Sequence, residues 1–227
     1  QNLYLYSLSG MDISLFLKTM LPYTLLSGLM LLLALFLKPG EEVSLQAVFT
    51  ETKAMARRPL AAYTLLFLLC LGCVLRLIPW QAVLLILLAV LFFFNRRLLL
   101  KADFGLLFTF VFFFLFIGNM GRIPAIVGFL RSVLSGHELF LSIAASQVIS
   151  NVPAAILLSG FTGNYLPLLV GVNIGGLGTL IASLASLISY KQYAGTAGCH
   201  KGRYMLYFTV MNLIFLAALA ILTALLL

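Results

Sequence analysis

Of 227 residues, 63% are hydrophobic and 9% charged, and the mean hydropathy is +1.15. So few charges cannot cover a water-facing surface of this size, which excludes a soluble one- or two-domain protein and leaves an integral membrane protein in contact with a lipid bilayer. The 14 Lys and Arg against 6 Asp and Glu give +8, but these basic residues sit in short loops between apolar runs; the charge reports topology and not a nucleic-acid partner.

The chain opens on Gln1, without Met and without a basic n-region, and reads as a fragment whose start is missing. A helix needs about 20 apolar residues to cross roughly 30 Å of hydrocarbon. Residues 13–37 supply a first span, interrupted only by Pro22 and by Lys18, which is placed to snorkel to the interface. Residues 38–59 read as a cytoplasmic linker. In 60–94 the single charge, Arg76, precedes Pro79 and Trp80, so a tight turn anchored by an interfacial Trp divides this run into spans two and three. The Phe-rich run 104–120 is span four. Over 121–136, Ile123, Ile126, Val127, Leu130 and Leu134 share one helical face while Arg122 and Arg131 lie off it, the pattern of a helix in the interface plane or of a plain amphipathic connector. Residues 166–190 and 204–227 complete six spans. With both ends outside, the inner loops hold ten Lys and Arg and the outer segments four, the asymmetry of the positive-inside rule.

Two stretches break the pattern of plain spans. In 137–162, Ser150-Asn151-Val152-Pro153 interrupts an apolar run: Asn caps a helix and Pro is accepted in a first turn, so one helix stops and another starts. Each half has about ten residues, roughly half of what spanning requires, which favours a re-entrant hairpin with a polar tip near mid-membrane. A single span kinked at Pro153 is the alternative. In 166–190, Asn173-Ile174-Gly175-Gly176-Leu177-Gly178-Thr179 places three Gly in four positions, predicting a broken helix that bares main-chain carbonyls and amides. Close packing through the small residues Gly175 and Thr179 is the alternative there. Two facing interruptions are the arrangement by which transporters offer half-helix N-termini to anions and unwound carbonyls to cations.

The segment Thr179 to Ser189, with its loop and last span, echoes the start of the chain when Asn2 is paired with Ser186, so the chain begins near the end of one repeat and contains a second. Ser150-Asn151-Val152-Pro153, Asn173-Ile174-Gly175-Gly176 with Thr179, and Leu107-Phe108-Thr109-Phe110 through Gly118-Asn119 together resemble the second half of the ion transporter superfamily. That superfamily groups citrate and dicarboxylate carriers, divalent-anion/sodium symporters, arsenite efflux permeases and certain sodium/proton antiporters. Gln1-Asn2 resembles the tail of its first-repeat motif, Gly-Asn-Pro-Gln-Asn, whereas the second repeat here has Ala182-Ser183-Leu184 in place of Gly-Asn-Pro. The resemblance implies an all-α inverted-repeat transporter with one re-entrant hairpin per half, often a homodimer, in a prokaryotic inner membrane. It implies a substrate and ion site at Ser150, Asn151, Val152, Pro153, Asn173, Gly175, Gly176, Gly178 and Thr179, with Na⁺ at Ser150, Asn151, Asn173 and Thr179, and a missing N-terminal half that completes it.

The six carboxylates, Asp12, Glu41, Glu42, Glu51, Asp103 and Glu138, fall in loops or at membrane edges, so no acidic proton relay is expected at mid-depth. Hydroxyls, amides and carbonyls remain, suited to Na⁺ and an oxyanion. Coupled transport of a small anion, driven by Na⁺ or H⁺ and without an organic cofactor or structural metal, is the expected function; arsenite-type efflux and sodium/proton antiport share the scaffold. A non-transporting scaffold is a further reading. An intramembrane enzyme is disfavoured, since no His or carboxylate lies near Ser146, Ser150 or Thr179 to activate a nucleophile. The Cys70-Leu71-Gly72-Cys73 pair lies within an apolar span, and His137 and His200 are single and separated, so neither redox nor metal chemistry is expected of them.

Overall fold

A computed structural model describes residues 1–36, 57–101, 103–196 and 198–226. The predicted linker, with Lys38, Glu41, Glu42, Glu51 and Lys53, lies largely outside the described residues. All regular elements among the described residues are helical. The chain divides into two compact units, Gln1–Leu37 with Thr109–Leu227, and Lys38–Phe108.

The first unit starts with the short helix α1 (Asn2–Ser9), stopped by Gly10 in the left-handed conformation (φ 65°), where a side chain would be strained. Asp12 then accepts from the Ser14 amide at 2.9 Å and starts α2 (Ile13–Phe36), whose 24 residues continue through Pro22. At 1.5 Å per residue α2 is about 36 Å long, enough to cross a bilayer. In the second unit, α3 (Arg57–Val74) and α4 (Trp80–Leu100) are joined by the turn expected at Pro79, which precedes α4, with Trp80 exposed at its start. The run predicted to end at Phe94 extends to Leu100 but is interrupted at Asn95, whose φ and ψ are non-helical.

The chain continues with α5 (Phe104–Met120) and α6 (Pro124–Leu134), bent by 100° from one another. Pro124 starts α6, where its missing N–H would have no partner in any case. One face of α6 carries Val127, Leu130 and the buried Leu134 into the core, and Arg131 is exposed. Next come α7 (Glu138–Ile149), α8 (Asn151–Ser159) and α9 (Tyr165–Ile174), then a 3-10 turn (Leu180–Ala182), α10 (Leu184–Ala194) and α11 (Lys201–Leu226). Ser183 caps α10 by accepting from the Ala185 amide at 3.3 Å.

Helix α9 organises this unit. Leu168, Leu169 and Val172 join Leu5 of α1, Leu134 of α6 and Ala154, Ala155 and Leu158 of α8 in one core; Val170 and Ile174 join Tyr23 of α2 and Leu219 of α11 in another. A helix apolar on all sides is buried on all sides, as α9 is. The outer helices do the reverse: Leu25 and Phe36 of α2, Phe112 of α5 and Leu225 of α11 are all more than half exposed. Apolar side chains in such numbers on the outside are solvated by acyl chains, and the protein is an integral membrane protein. By length and composition, three described helices, α2, α4 and α11, can each cross a membrane, with α5 and α6 a fourth if taken as one bent span. The sequence predicts six; α3 is 18 residues long, and the stretch 166–190 is divided between α9 and α10.

Candidate functional site

The site grows from a one-residue joint. Ser150 separates α7 from α8 with φ 74° and ψ 151°, a region that L-residues rarely occupy and that persists only where surroundings impose it. At the far end, Thr162 donates to Glu138 Oε1 at 3.1 Å, tying the residues just beyond α8 to the first residue of α7. The two helices therefore fold back on each other, and the continuous kinked helix is not what forms. Asn151, expected to cap the second helix, is instead its first residue; Ser150 holds the cap position, and its hydroxyl makes no capping bond.

The joint leaves donors unused. The Ser150 amide bonds to Ser146 O, Pro153 has no N–H, and Ala154 N closes the first turn onto Ser150 O. The amides of Asn151 and Val152 are then the free donors at the positive end of the α8 dipole. Asn151 is 9% exposed, and its carboxamide makes no hydrogen bond to another described residue. Among the described residues, the Ser150 hydroxyl reaches only Ala182 O, at 3.5 Å.

Facing this tip is the end of α9. The seam between α9 and α7 is glycine against serine: a Cβ at Gly171 would meet Ser142 Oγ, and one at Gly175 would lie 2.8 Å from Ser146 Cβ. The two serines direct their hydroxyls back into α7, to Leu139 O at 2.9 Å and Ser142 O at 2.6 Å, so close packing leaves them satisfied. Small-residue packing, the alternative to a break, thus operates at Gly171 and Gly175, not at Gly175 and Thr179. The break follows: α9 stops at Ile174, and Gly178 takes φ +109°.

Gln147, on the last turn of α7, holds the broken segment. Its amide nitrogen donates to Gly175 O at 2.8 Å and Leu177 O at 2.9 Å, its Oε1 accepts from Thr179 N at 2.9 Å, and its carbonyl accepts the Thr179 hydroxyl at 3.0 Å. Two carbonyls that the sequence predicts to be bared for a cation are thereby occupied. A Cβ at Gly178 would strike Gln147 Oε1, and one at Gly176 would sit 2.6 Å from Asn151 Nδ2, so the Asn151 carboxamide lies directly over the Gly176 backbone.

Asn173 donates to Leu169 O at 2.7 Å and to Asn2 Oδ1 at 2.6 Å, 171 residues away, leaving its own Oδ1 as an acceptor. Of the predicted residues, the structure brings Asn151 of the tip over Gly176 of the break; Ser150 reaches Ala182 beyond it, Gly175, Gly178 and Thr179 meet Gln147, and Asn173 turns to Asn2 and Leu169. Among the described residues, no three His, Cys, Asp or Glu side chains converge as a metal cluster. Sequence reasoning missed Gln147 and the bond between Asn2 and Asn173, and it did not foresee that Glu138 is buried. A lone Gln in an apolar run leaves no periodic signal; its only mark was its position one turn before the Ser-Asn-Val-Pro break.

Known proteins bear on this arrangement. An uncharacterized transporter of Methanocaldococcus jannaschii, MJ0456, is 35% identical over 226 residues, 97% of this chain and 60% of that protein. The inner membrane protein YbiR of Escherichia coli is 42% identical over 99 residues, 42% of this chain and 27% of that protein. The chain spans about 60% of the length of the first relative. No family model matches the chain, and no solved structure does. One relative is named as a transporter and the other as an inner membrane protein, in keeping with the exposed apolar helices.

Chemically, the site combines free backbone amides at a helix N-terminus, a carboxamide able to donate and accept, and an acceptor oxygen on Asn173. The amides suit an oxyanion, and the oxygens suit a hard cation such as Na⁺.

Proposed function

We propose that the chain belongs to a secondary active transporter that moves a small anion, coupled to Na⁺ or H⁺, through a site between the hairpin tip and the α9 break. The observation that carries the proposal is Asn151: a carboxamide nine-tenths buried, without a partner among the described residues, beside free amides at a helix N-terminus. A buried polar group is ordinarily hydrogen-bonded, and one left open at a broken-helix junction is the device by which transporters hold a solute. The likeness to a protein named as a transporter supports the reading, as does the resemblance to the ion transporter superfamily.

In this reading the hairpin is re-entrant, its tip at mid-membrane, and the repeat that contains α1 and α2 supplies the opposite wall. Asn2, which resembles the last residue of that superfamily's first-repeat motif, touches Asn173 at the place where such a wall would meet this one. The anion takes the α8 amides and the Asn151 amino group; Na⁺ takes Asn173 Oδ1 with oxygens of Ser150, Asn151 and Thr179.

Uptake by the full-length protein in proteoliposomes, assayed with citrate, succinate, sulfate and arsenite with and without a Na⁺ gradient, tests the proposal. Asn151→Ala should reduce uptake of the transported anion about 10- to 100-fold, the loss of one hydrogen bond to a charged group, with reconstitution and melting temperature unchanged. Uptake at the wild-type rate in that variant would count against the site.

A further inference from the structure

A second site lies at the opposite end of the hairpin from the tip. Glu138 begins α7 and is 94% buried, as its 6% exposure shows, and no Lys, Arg or His among the described residues forms an ion pair with it. Among the described residues, its carboxylate takes one hydrogen bond, from Thr162. That hydroxyl also accepts from Asn164 N at 3.0 Å, and because a carboxylate only accepts, its proton goes to Glu138 Oε1. No described residue donates to the second carboxylate oxygen, and that oxygen is not sealed from the surface.

What Glu138 faces is a pocket of 640 Å³, lined also by Arg131, Ser135, Ser159, Thr162 and Asn164. The lining therefore includes both a recessed carboxylate and the exposed Arg131 of α6. A recessed carboxylate oxygen that opens into the pocket beside an exposed guanidinium matches a ligand with a positive group for Glu138 and a negative one for Arg131. The fold supplies the setting. Helix α5 is apolar over its length, and α6 turns from it by 100°, so if α5 crosses the bilayer α6 runs along its surface, and α7 starts at that level. The pocket then opens where lipid headgroups lie.

We propose that this pocket binds the headgroup of a phosphatidylethanolamine, with the primary ammonium on Glu138 and the phosphate on Arg131. A primary ammonium brings three N–H donors, matching the free carboxylate oxygen and the hydroxyl-rich wall, whereas a quaternary ammonium could use none of them. An anionic headgroup without an amine would satisfy Arg131 and leave Glu138 unpaired. The site does not depend on the transport reading, since it uses no residue of the hairpin tip or the α9 break.

Native mass spectrometry of the purified full-length protein, titrated separately with phosphatidylethanolamine, phosphatidylcholine and phosphatidylglycerol, tests it. The ethanolamine lipid should bind about tenfold more tightly than either of the others, the order expected for one charge-assisted hydrogen-bonded pair, and Glu138→Gln should abolish the preference. Equal binding of the three lipids, or a preference that survives in Glu138→Gln, overturns the proposal. Should Glu138→Gln fail to fold, the exposed Arg131→Gln decides: it should weaken phosphatidylethanolamine binding severalfold, and unchanged binding overturns the assignment. Soluble phosphoethanolamine should not displace the lipid; displacement would assign the pocket to a free solute instead.

Discussion

Gln147 makes four hydrogen bonds to the broken segment, although the sequence does not mark it as a candidate. It is one side chain reaching two carbonyls and one amide, each of which would otherwise lack a partner where the helix has stopped. Gln147→Leu keeps the volume and removes all three bonds. We expect it to destabilise the full-length protein in detergent by about 2 kcal/mol, with two carbonyls left unsatisfied, visible as a lower melting temperature. Gly178 is the complementary test. Its φ of +109° strains any other residue, and a Cβ there points at Gln147 Oε1, so Gly178→Ala should cost about 1–3 kcal/mol and should lose uptake along with Gln147→Leu. If Gly178→Ala kept both stability and uptake, the clamp between α7 and the break would be ruled out.

At the scale of elements, the hairpin is a compromise between a strained joint and a packed seam. Ser150 sits in a backbone region that glycine enters freely, so Ser150→Gly should raise the melting temperature slightly, by about 1 kcal/mol of added stability, if the serine side chain serves only structure. A stabilised variant with reduced uptake would separate the hydroxyl's role in the site from the joint's conformation. The seam between α7 and α9 tolerates no such change. Gly171→Val would drive side-chain atoms into Ser142 and Leu139 O, and misassembly or a clear loss of expression is expected, read by fluorescence size-exclusion chromatography.

The two interruptions were legible in the sequence because their causes are local: Pro153 and the three glycines alter backbone preference whatever surrounds them. The position of the cap was off by one residue, since a single-residue joint with positive φ overrides the capping preference of Asn151. The partners of the interruptions were not legible. Gln147 reaches the break across about 30 residues and Asn2 reaches Asn173 across 171, and neither distance leaves a periodic trace. Glu138 was placed at a helix start from its neighbours, but its burial comes from Thr162 and the loop after α8, which only the folded chain brings back.

At the scale of the whole molecule, the inside-out distribution of apolar side chains sets the environment, and polar groups collect in the interior around α7, α8 and the end of α9. In a lipid solvent such groups persist only if they bond one another or line a wet path. Ser142, Ser146 and Gln147 take the first course; under the proposed function, Asn151 with the free α8 amides takes the second. The central claim is that the tip of the hairpin is a wet, solute-binding place and not a dry packing contact. The most direct measurement is thiol labelling of Ser150→Cys in full-length protein with Cys70, Cys73 and Cys199 replaced, using a membrane-impermeant maleimide in oriented vesicles. Labelling from one side, slowed by the transported anion or by Na⁺ but not by K⁺, is the predicted result; a thiol that stays unreactive from both sides while the protein transports would contradict it.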